Sequence, residues 1–238
     1  MPIYVNNNYF SEQNNRMAYI MGFLAADGNV SKNGNRIQSQ LSLKDKGHLE
    51  MIQSEIGGCE VYEYESNGYK SCGWHCCSSQ IKKDLAVYGI IPHKTGTLSI
   101  PKVLDKQYWK DFIRGYFDGD GCISYANKEH TIPSYQILGT KEFLKVIMNY
   151  LNIEETLFHN HNNKKEVTMY IQASSRKAMY VLHKLYDNCS IYLNRKYEKF
   201  IYFCRIFEKS NMLKQTNIGE GCDANTEITK ESNKSLVL

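Results

Sequence analysis

The sequence predicts an α+β fold built twice over, with two αββαββα units in one chain. Three observations carry this: a segment that occurs twice, the same order of helical and strand-like periodicities after each copy, and a proline-bounded link between them. Ala18-Tyr19-Ile20-Met21-Gly22-Phe23-Leu24-Ala25-Ala26-Asp27-Gly28 aligns with Asp111-Phe112-Ile113-Arg114-Gly115-Tyr116-Phe117-Asp118-Gly119-Asp120-Gly121. The common pattern is Ile-x-Gly-aromatic-apolar-x-small-Asp-Gly, and Asp120 lies 93 positions after Asp27. That spacing is too long for a solenoid period and marks a two-fold duplication.

The elements follow in the same order after each motif. From Arg36 to Lys44, Ile37, Ser39, Leu41 and Leu43 alternate with Arg36, Gln38, Gln40, Ser42 and Lys44, the pattern of a strand with one polar face. Leu49, Ile52 and Ile56 fall at helical spacing and stop at Gly57-Gly58, which predicts a helix over 48–56. Strands are expected over 59–64 and 69–77, then a helix over 79–88. The second copy predicts strands near 122–125 and 134–138, a helix over 141–151, a hairpin around 167–172, and helices over 176–186 and 195–207. Pro92 to Pro101 links the halves. The expected division is an N-terminal segment over 1–10, a first unit with its linker over 11–100, a second unit over 101–208, and a polar, weakly ordered tail over 209–238.

Composition narrows the class. In 238 residues there is no apolar run near the roughly 18 needed to span a membrane. The eight cysteines are irregularly spaced, and a chain this long does not need a disulfide framework, so reduced thiols are expected. Met1 to Phe10 is polar, without a charged-then-apolar leader, and the expected setting is cytoplasmic or an organellar matrix, not secreted. A net charge of +4 permits an anionic partner without requiring one.

Placed on helices, the motifs align their small residues. Ala18, Gly22 and Ala26 share one face, and Gly115 and Gly119 do the same in the second copy. Small residues at that spacing let two backbones approach closely, so the motif helices are expected to pack on each other. Asp27 and Asp120 then stand at helix C-termini, each followed by a glycine that reads as a left-handed cap. A carboxylate is disfavoured there by the helix dipole, and two brought together repel, raising at least one pKa. A divalent cation relieves both problems, and carboxylate plus carbonyl oxygens suit Mg²⁺, with Mn²⁺ as a substitute.

Residues Ile20–Gly28 and Ile113–Gly121 resemble the two signature motifs of the LAGLIDADG homing endonucleases in their single-chain form. The resemblance covers about residues 11–207. Pro92-His93-Lys94-Thr95 and Leu193-Asn194-Arg195-Lys196-Tyr197 add to it. It implies two antiparallel sheets forming a saddle over DNA, with the motif helices at the interface of two pseudo-symmetric halves in a monomer. It implies metal ligation by Asp27 and Asp120, helped by the carbonyls of Ala26 and Gly119.

Around that centre, Lys94 and Lys196 occupy equivalent places and are the expected lysine pair, stabilising charge on the phosphate and holding solvent. The resemblance implies a water-orienting polar residue on the second strand of each unit. Gln136 is the candidate in the second half; in the first, the register leaves Gln40 and Gln38 open, and Gln40 is taken as catalytic. Asp118, matched by Ala25, is expected to cap or tune its own half. The polar strand faces are the expected DNA surface: Arg36, Gln38, Gln40, Ser42, Lys44, Tyr69, His75, Tyr135, Thr168, Tyr170 and Gln172, with Lys32, Lys128, Lys164 and Lys165 reaching phosphates from hairpin loops. Cys59, Cys72, His75, Cys76 and Cys77 lack zinc-site spacing.

The implied function is a metal-dependent endonuclease that cuts one phosphodiester in each strand of a long asymmetric duplex target, leaving short 3′ overhangs. The alternatives are an intron RNA-splicing maturase, for which intron RNA would be a partner, and a non-cleaving DNA-binding regulator of the same fold. A protein whose duplicated helices serve only packing is a further reading, disfavoured by the polar strand faces.

Overall fold

The computed structural model describes residues 4–94, 98–154, 158–160 and 169–219. The first repeat contains α1 (Asn15–Asp27), β1 (Gly28–Val30), β2 (Arg36–Ser42), α2 (Lys46–Ile56), β3 (Tyr62–Ser66), β4 (Tyr69–Cys77) and α3 (Ser79–Val87). The second contains α4 (Trp109–Asp120), β5 (Gly121–Tyr125), β6 (Pro133–Gly139), α5 (Lys141–Leu151), β7 (Phe158–Asn160), β8 (Met169–Ser174), α6 (Ser175–Tyr186) and the start of α7 (Asn194–Gly219). Both sheets are antiparallel and share one order, β1-β2-β4-β3 and β5-β6-β8-β7. The fold is the duplicated α+β architecture that the periodicities predict.

Residues Met1–Phe203 form one compact unit and Cys204–Leu238 a second. α7 is helical as far as Gly219, into the span expected to be a polar tail. Residues 208–218 contain no glycine or proline, so nothing local stops the helix before Gly219.

α1 is buried along its whole middle, Met17–Ala25, because it packs on α4 along one face and on its own unit along the others. Asn14 caps its start, its side chain accepting from the Met17 N–H at 2.9 Å. Each sheet buries one face. In the first, Ile37, Ser39, Trp74 and Cys76 point inward, while Arg36, Gln38 and Gln40 stay on the open side. In the second, Ile123, Tyr135, Ile137, Ile171 and Ala173 point inward under α5 and α6.

His48 on α2 fills the space beneath α1. Its ring lies edge-on to Phe23, with centroids 4.5 Å apart, and its Nε2 is 3.5 Å from the Tyr19 hydroxyl. Burial pushes its pKa from 6.5 down to about 4. The unfolded chain therefore takes up this proton first. The stabilisation is complete above about pH 6.5 and is lost as pH falls toward 4. At 1.36 kcal/mol per unit it is worth about 3 kcal/mol. His48→Gln is expected to flatten the fall in urea midpoint across this window; equal slopes in both proteins would contradict the assignment.

Candidate active site

Two glycines set the distance between α1 and α4. A Cβ on Gly22 would stand 2.0 Å from the Phe112 carbonyl oxygen, and one on Gly115 would stand 2.0 Å from the Tyr19 carbonyl oxygen. Phe112 is the counterpart of Tyr19 in the repeat, so the contact is reciprocal, as two-fold related surfaces require. One turn and more further on, a Cβ on Gly119 would lie 2.4 Å from the Ala26 Cβ and 3.5 Å from the Asp27 carboxyl carbon. Ala18 is fully buried in α1, and its counterpart is Asp111. The helices converge, and their C-termini bring Asp27 and Asp120 together.

The terminal glycines are not left-handed caps. Gly28 and Gly121 are extended, at φ −81° and −85°, and open β1 and β5 without a loop. Glycine is required there by space: a Cβ would fall 2.4 Å from the Leu24 carbonyl oxygen or 2.2 Å from the Phe117 ring. The direct passage from helix to strand holds each aspartate at the edge of its sheet.

The site is electrostatically costly. Burial and the Asp120 carboxylate push Asp27 up to about 6, against the pull of Lys196, Arg195 and Lys94. Burial also raises Asp120, offset by a hydrogen bond with the Tyr116 hydroxyl and by Lys94 and Lys196. Tyr116 is held by the Leu138 carbonyl at 3.0 Å; its counterpart in the first unit is Phe23, which cannot make either bond. Among the described residues no three His, Cys, Asp or Glu side chains converge. The candidate cation site is therefore a pair of carboxylates with carbonyls of the two final helical turns.

Lys94 and Lys196 do stand in equivalent places, one at each helix end. Lys94 Nζ donates to the Gly28 carbonyl. Lys196 Nζ, almost wholly buried, donates to the carbonyls of Phe117 (2.5 Å), Asp118 (2.8 Å) and Gly121 (2.6 Å), and burial lowers its pKa to about 8. Lys196 is thus fixed as the cap of α4. Lys196→Met is expected to lower unfolding free energy by about 3–5 kcal/mol, since it strands buried carbonyls. Lys94→Met, at a half-buried position, is expected to cost about 1–2 kcal/mol. Equal losses in chemical denaturation would contradict this difference between the halves.

Strand register gives the two glutamines different counterparts in the second repeat. Asn29, following Gly28, pairs with Gln38, as Cys122, following Gly121, pairs with Gln136. Gln38 is therefore the positional counterpart of Gln136, and Gln40 that of Leu138. Gln38 pairs in turn with His75, and Gln136 with Gln172.

The open faces carry Arg36, Gln38, Gln40, Ser42, Tyr69 and His75 in the first unit, and Gln136, Tyr170 and Gln172 in the second. Lys32 and Lys128 are exposed in the turns between paired strands. Two placements need correction. Tyr135 is fully buried on the helix-covered face, because it alternates with Gln136 and shares its face with Ile137. Lys44 lies in a 3-10 turn, Leu43–Asp45, just beyond β2. Lys164, Lys165 and Thr168 lie outside the described residues.

A buried polar network escaped sequence reasoning. Asp118 accepts from the hydroxyls of Tyr19 (2.6 Å) and Tyr186 (2.5 Å) and from the Leu193 N–H (2.8 Å). It therefore joins both units, and does not serve its own half alone. Asp111 accepts from Asn15 (2.6 Å) and from Arg114 (2.5 Å), whose guanidinium lies 5.3 Å from the Tyr19 ring centre. Arg195 pairs with the buried Asp45 at 2.9 Å. The one available signal was chemical: Asp111, Arg114 and Asp118 occupy motif positions that are Ala18, Met21 and Ala25 in the first copy.

Comparison with known proteins agrees with this geometry. Residues 110–186 match the LAGLIDADG-like domain family. The I-LtrWI LAGLIDADG homing endonuclease bound to target DNA is similar in structure, with a TM-score of 0.54 at 13% identity, over 90% of this chain and 96% of that one. The meganuclease I-SmaMI bound to uncleaveable DNA gives 0.51 at 14% identity, over 85% and 94%. The K262A mutant of I-SmaMI gives 0.53 at 15% identity, over 87% and 99%. No curated protein sequence matches the chain. Residues 110–186 are thus similar in sequence to the LAGLIDADG-like domain, and the chain through both repeats has the fold of the LAGLIDADG homing endonucleases.

Proposed function

We propose that this protein is a site-specific endonuclease for double-stranded DNA, using Asp27 and Asp120 to break one phosphodiester in each strand and leaving short 3′ overhangs. The observation that carries the reading is the convergence of two motif carboxylates at the ends of two helices that touch through backbone. Structurally similar proteins are described as bound to DNA. The donor set fits Mg²⁺: hard oxygens only, with Asp27 pushed up to about 6 by burial and by its neighbour, a cost that a divalent charge would remove. Bound there, the ion would supply Lewis-acid stabilisation of charge on the phosphate.

The chain's own residues hold the rest. Lys94 and Lys196 fix the ends of α1 and α4, and so the spacing of the two carboxylates. Gln38 and Gln136 flank each motif on the open sheet faces, where a carboxamide can hydrogen-bond water or a phosphate oxygen. Arg36, Lys32 and Lys128 supply positive charge for the backbone of a duplex. The faces are unequal: Arg36 corresponds to Ser134, Gln40 to Leu138 and His75 to Gln172. Unequal faces read an asymmetric target.

The test is selection of cut sites from a randomised duplex DNA library with Mg²⁺. Recovered products are expected to share one long asymmetric sequence broken once in each strand. Folded protein that binds but never cuts would instead make it a DNA-binding regulator of the same fold.

A further inference from the structure

The space between the end of α2 and the start of α3 is filled in the first unit, and the equivalent space in the second is open. In the first, the Trp74 indole lies under the end of α2 and donates to the Gly57 carbonyl at 2.9 Å. Residues ahead of α1 then cross this end. Val5 bridges Gly57, the Gly58 N–H donates to the Tyr4 carbonyl at 2.8 Å, and the Ser78 hydroxyl donates to the Asn7 side-chain oxygen at 2.5 Å. In the second unit the counterpart of Trp74 is Ile171, and α5 closes its own end through a left-handed Asn152 and a bond from the Ile153 N–H to the Met148 carbonyl (2.9 Å). Among the described residues no segment bonds across the end of α5 as residues 4–7 do across α2. What remains is a cavity of about 270 Å³, lined by Tyr135, Ile153, Tyr180 and Val181, with the exposed Arg176 beside them.

Three differences between the repeats shape this cavity. Strand register makes Tyr135 the counterpart of Ile37. With the buried Ile81 and Leu85 of α3 matched to Ala178 and Leu182 of α6, Tyr180 and Val181 stand where the first unit has Lys83 and Asp84. Charged positions have become apolar, and an apolar one has gained a hydroxyl. Tyr135 is fully buried, and its hydroxyl has no hydrogen-bond partner among the described residues. That costs stability which isoleucine avoids, so the fold does not call for it. The cations reduce to one. Lys177 pairs with Glu154 at 2.8 Å, whereas Arg176 has no ion-pair partner among the described residues.

An apolar cavity with one unpaired hydroxyl in its wall and one unpaired guanidinium beside it selects a ligand of matching parts. Its volume falls just below the range of sites for drug-sized molecules, so the ligand is small. The indole that this unit lacks, and the exposed Tyr180 ring, favour a flat aromatic body. A guanidinium grips a carboxylate through two parallel hydrogen bonds. We propose that this cavity is a binding site for a small aromatic carboxylate. The ring lies against Tyr180, Ile153 and Val181, a polar atom of the ring meets the Tyr135 hydroxyl, and Arg176 holds the carboxylate. The cavity is on the face of the sheet opposite Gln136 and Gln172. The site therefore goes beyond the endonuclease reading, and its test uses no DNA.

The probe is indole-3-acetate, titrated into the full-length protein by isothermal titration calorimetry. Indole-3-acetamide, which lacks the charge, and octanoate, which lacks the ring, are titrated beside it. Indole-3-acetate is expected to bind with a Kd below about 1 mM, and about tenfold or more tighter than either control. Arg176→Gln is expected to weaken it by about tenfold or more and to erase the preference for the acid over its amide. Tyr135→Phe separates a ligand contact from a structural role. It removes an unpaired hydroxyl, so the melting temperature stays or rises while affinity falls by about threefold or more. Equal affinity for the acid and its amide, octanoate bound as tightly as the indole acid, or a wild-type Kd in either variant would overturn the proposal. Absence of any binding up to about 10 mM would overturn it as well.

Discussion

Asparagine in place of Asp27 or Asp120 is expected to cut the rate of double-strand cleavage of the selected target by about a thousandfold or more. Asparagine keeps the shape of the side chain and removes its charge. The loss corresponds to about 4 kcal/mol of transition-state stabilisation, the scale expected when a cation loses a ligand. The same change is expected to leave the melting temperature of the free protein unchanged or to raise it. Asp27 is pushed up to about 6 by burial and by Asp120, so ionising both acids costs folding energy that asparagine avoids. Higher stability with lost cutting is the mark of residues kept for chemistry at the expense of the fold. Intact double-strand cutting by either variant would contradict a paired site, and a nicked product would show half-sites that act separately.

The second large effect concerns the helix pair. Valine at Gly22 or at Gly115 is expected to destabilise the protein by about 5 kcal/mol, a large part of the total for a domain. Even the first added carbon would stand 2.0 Å from a backbone carbonyl oxygen of the other helix, and backbone cannot rotate away as a side chain can. The helices would have to separate, taking Asp27 and Asp120 with them. Urea unfolding measures the first consequence and cleavage the second. A wild-type urea midpoint in Gly115→Val would show that α1 and α4 do not meet there.

Much of this was legible in the sequence because it is written in period and repetition. The duplicated motif located both aspartates, and apolar spacing placed α5 over the residues it occupies, Lys141–Leu151. What failed did so for identifiable reasons. Gln38 and Gln40 lie on the same strand face, so alternation cannot separate them; only the pairing of Asn29 with Gln38 does. Tyr135 cannot share the open face, because Gln136 beside it in the strand points there. Gly28 and Gly121 suggested left-handed caps because that is the commoner use of glycine after a helix, while the requirement here is clearance from the preceding turn. The Asp118 network was hidden because its donors, Tyr19, Tyr186 and the Leu193 N–H, are far apart in the chain.

The most direct test of the central claim, that Asp27 and Asp120 together form one divalent-cation site, is Mn²⁺ binding followed by electron paramagnetic resonance. The measurement uses the protein with its selected duplex, in wild type, Asp27→Asn and Asp120→Asn. Wild type is expected to take up Mn²⁺ in competition with Mg²⁺, and each single variant to lose most of that binding while still holding the duplex. Undiminished Mn²⁺ binding in both variants would contradict the claim.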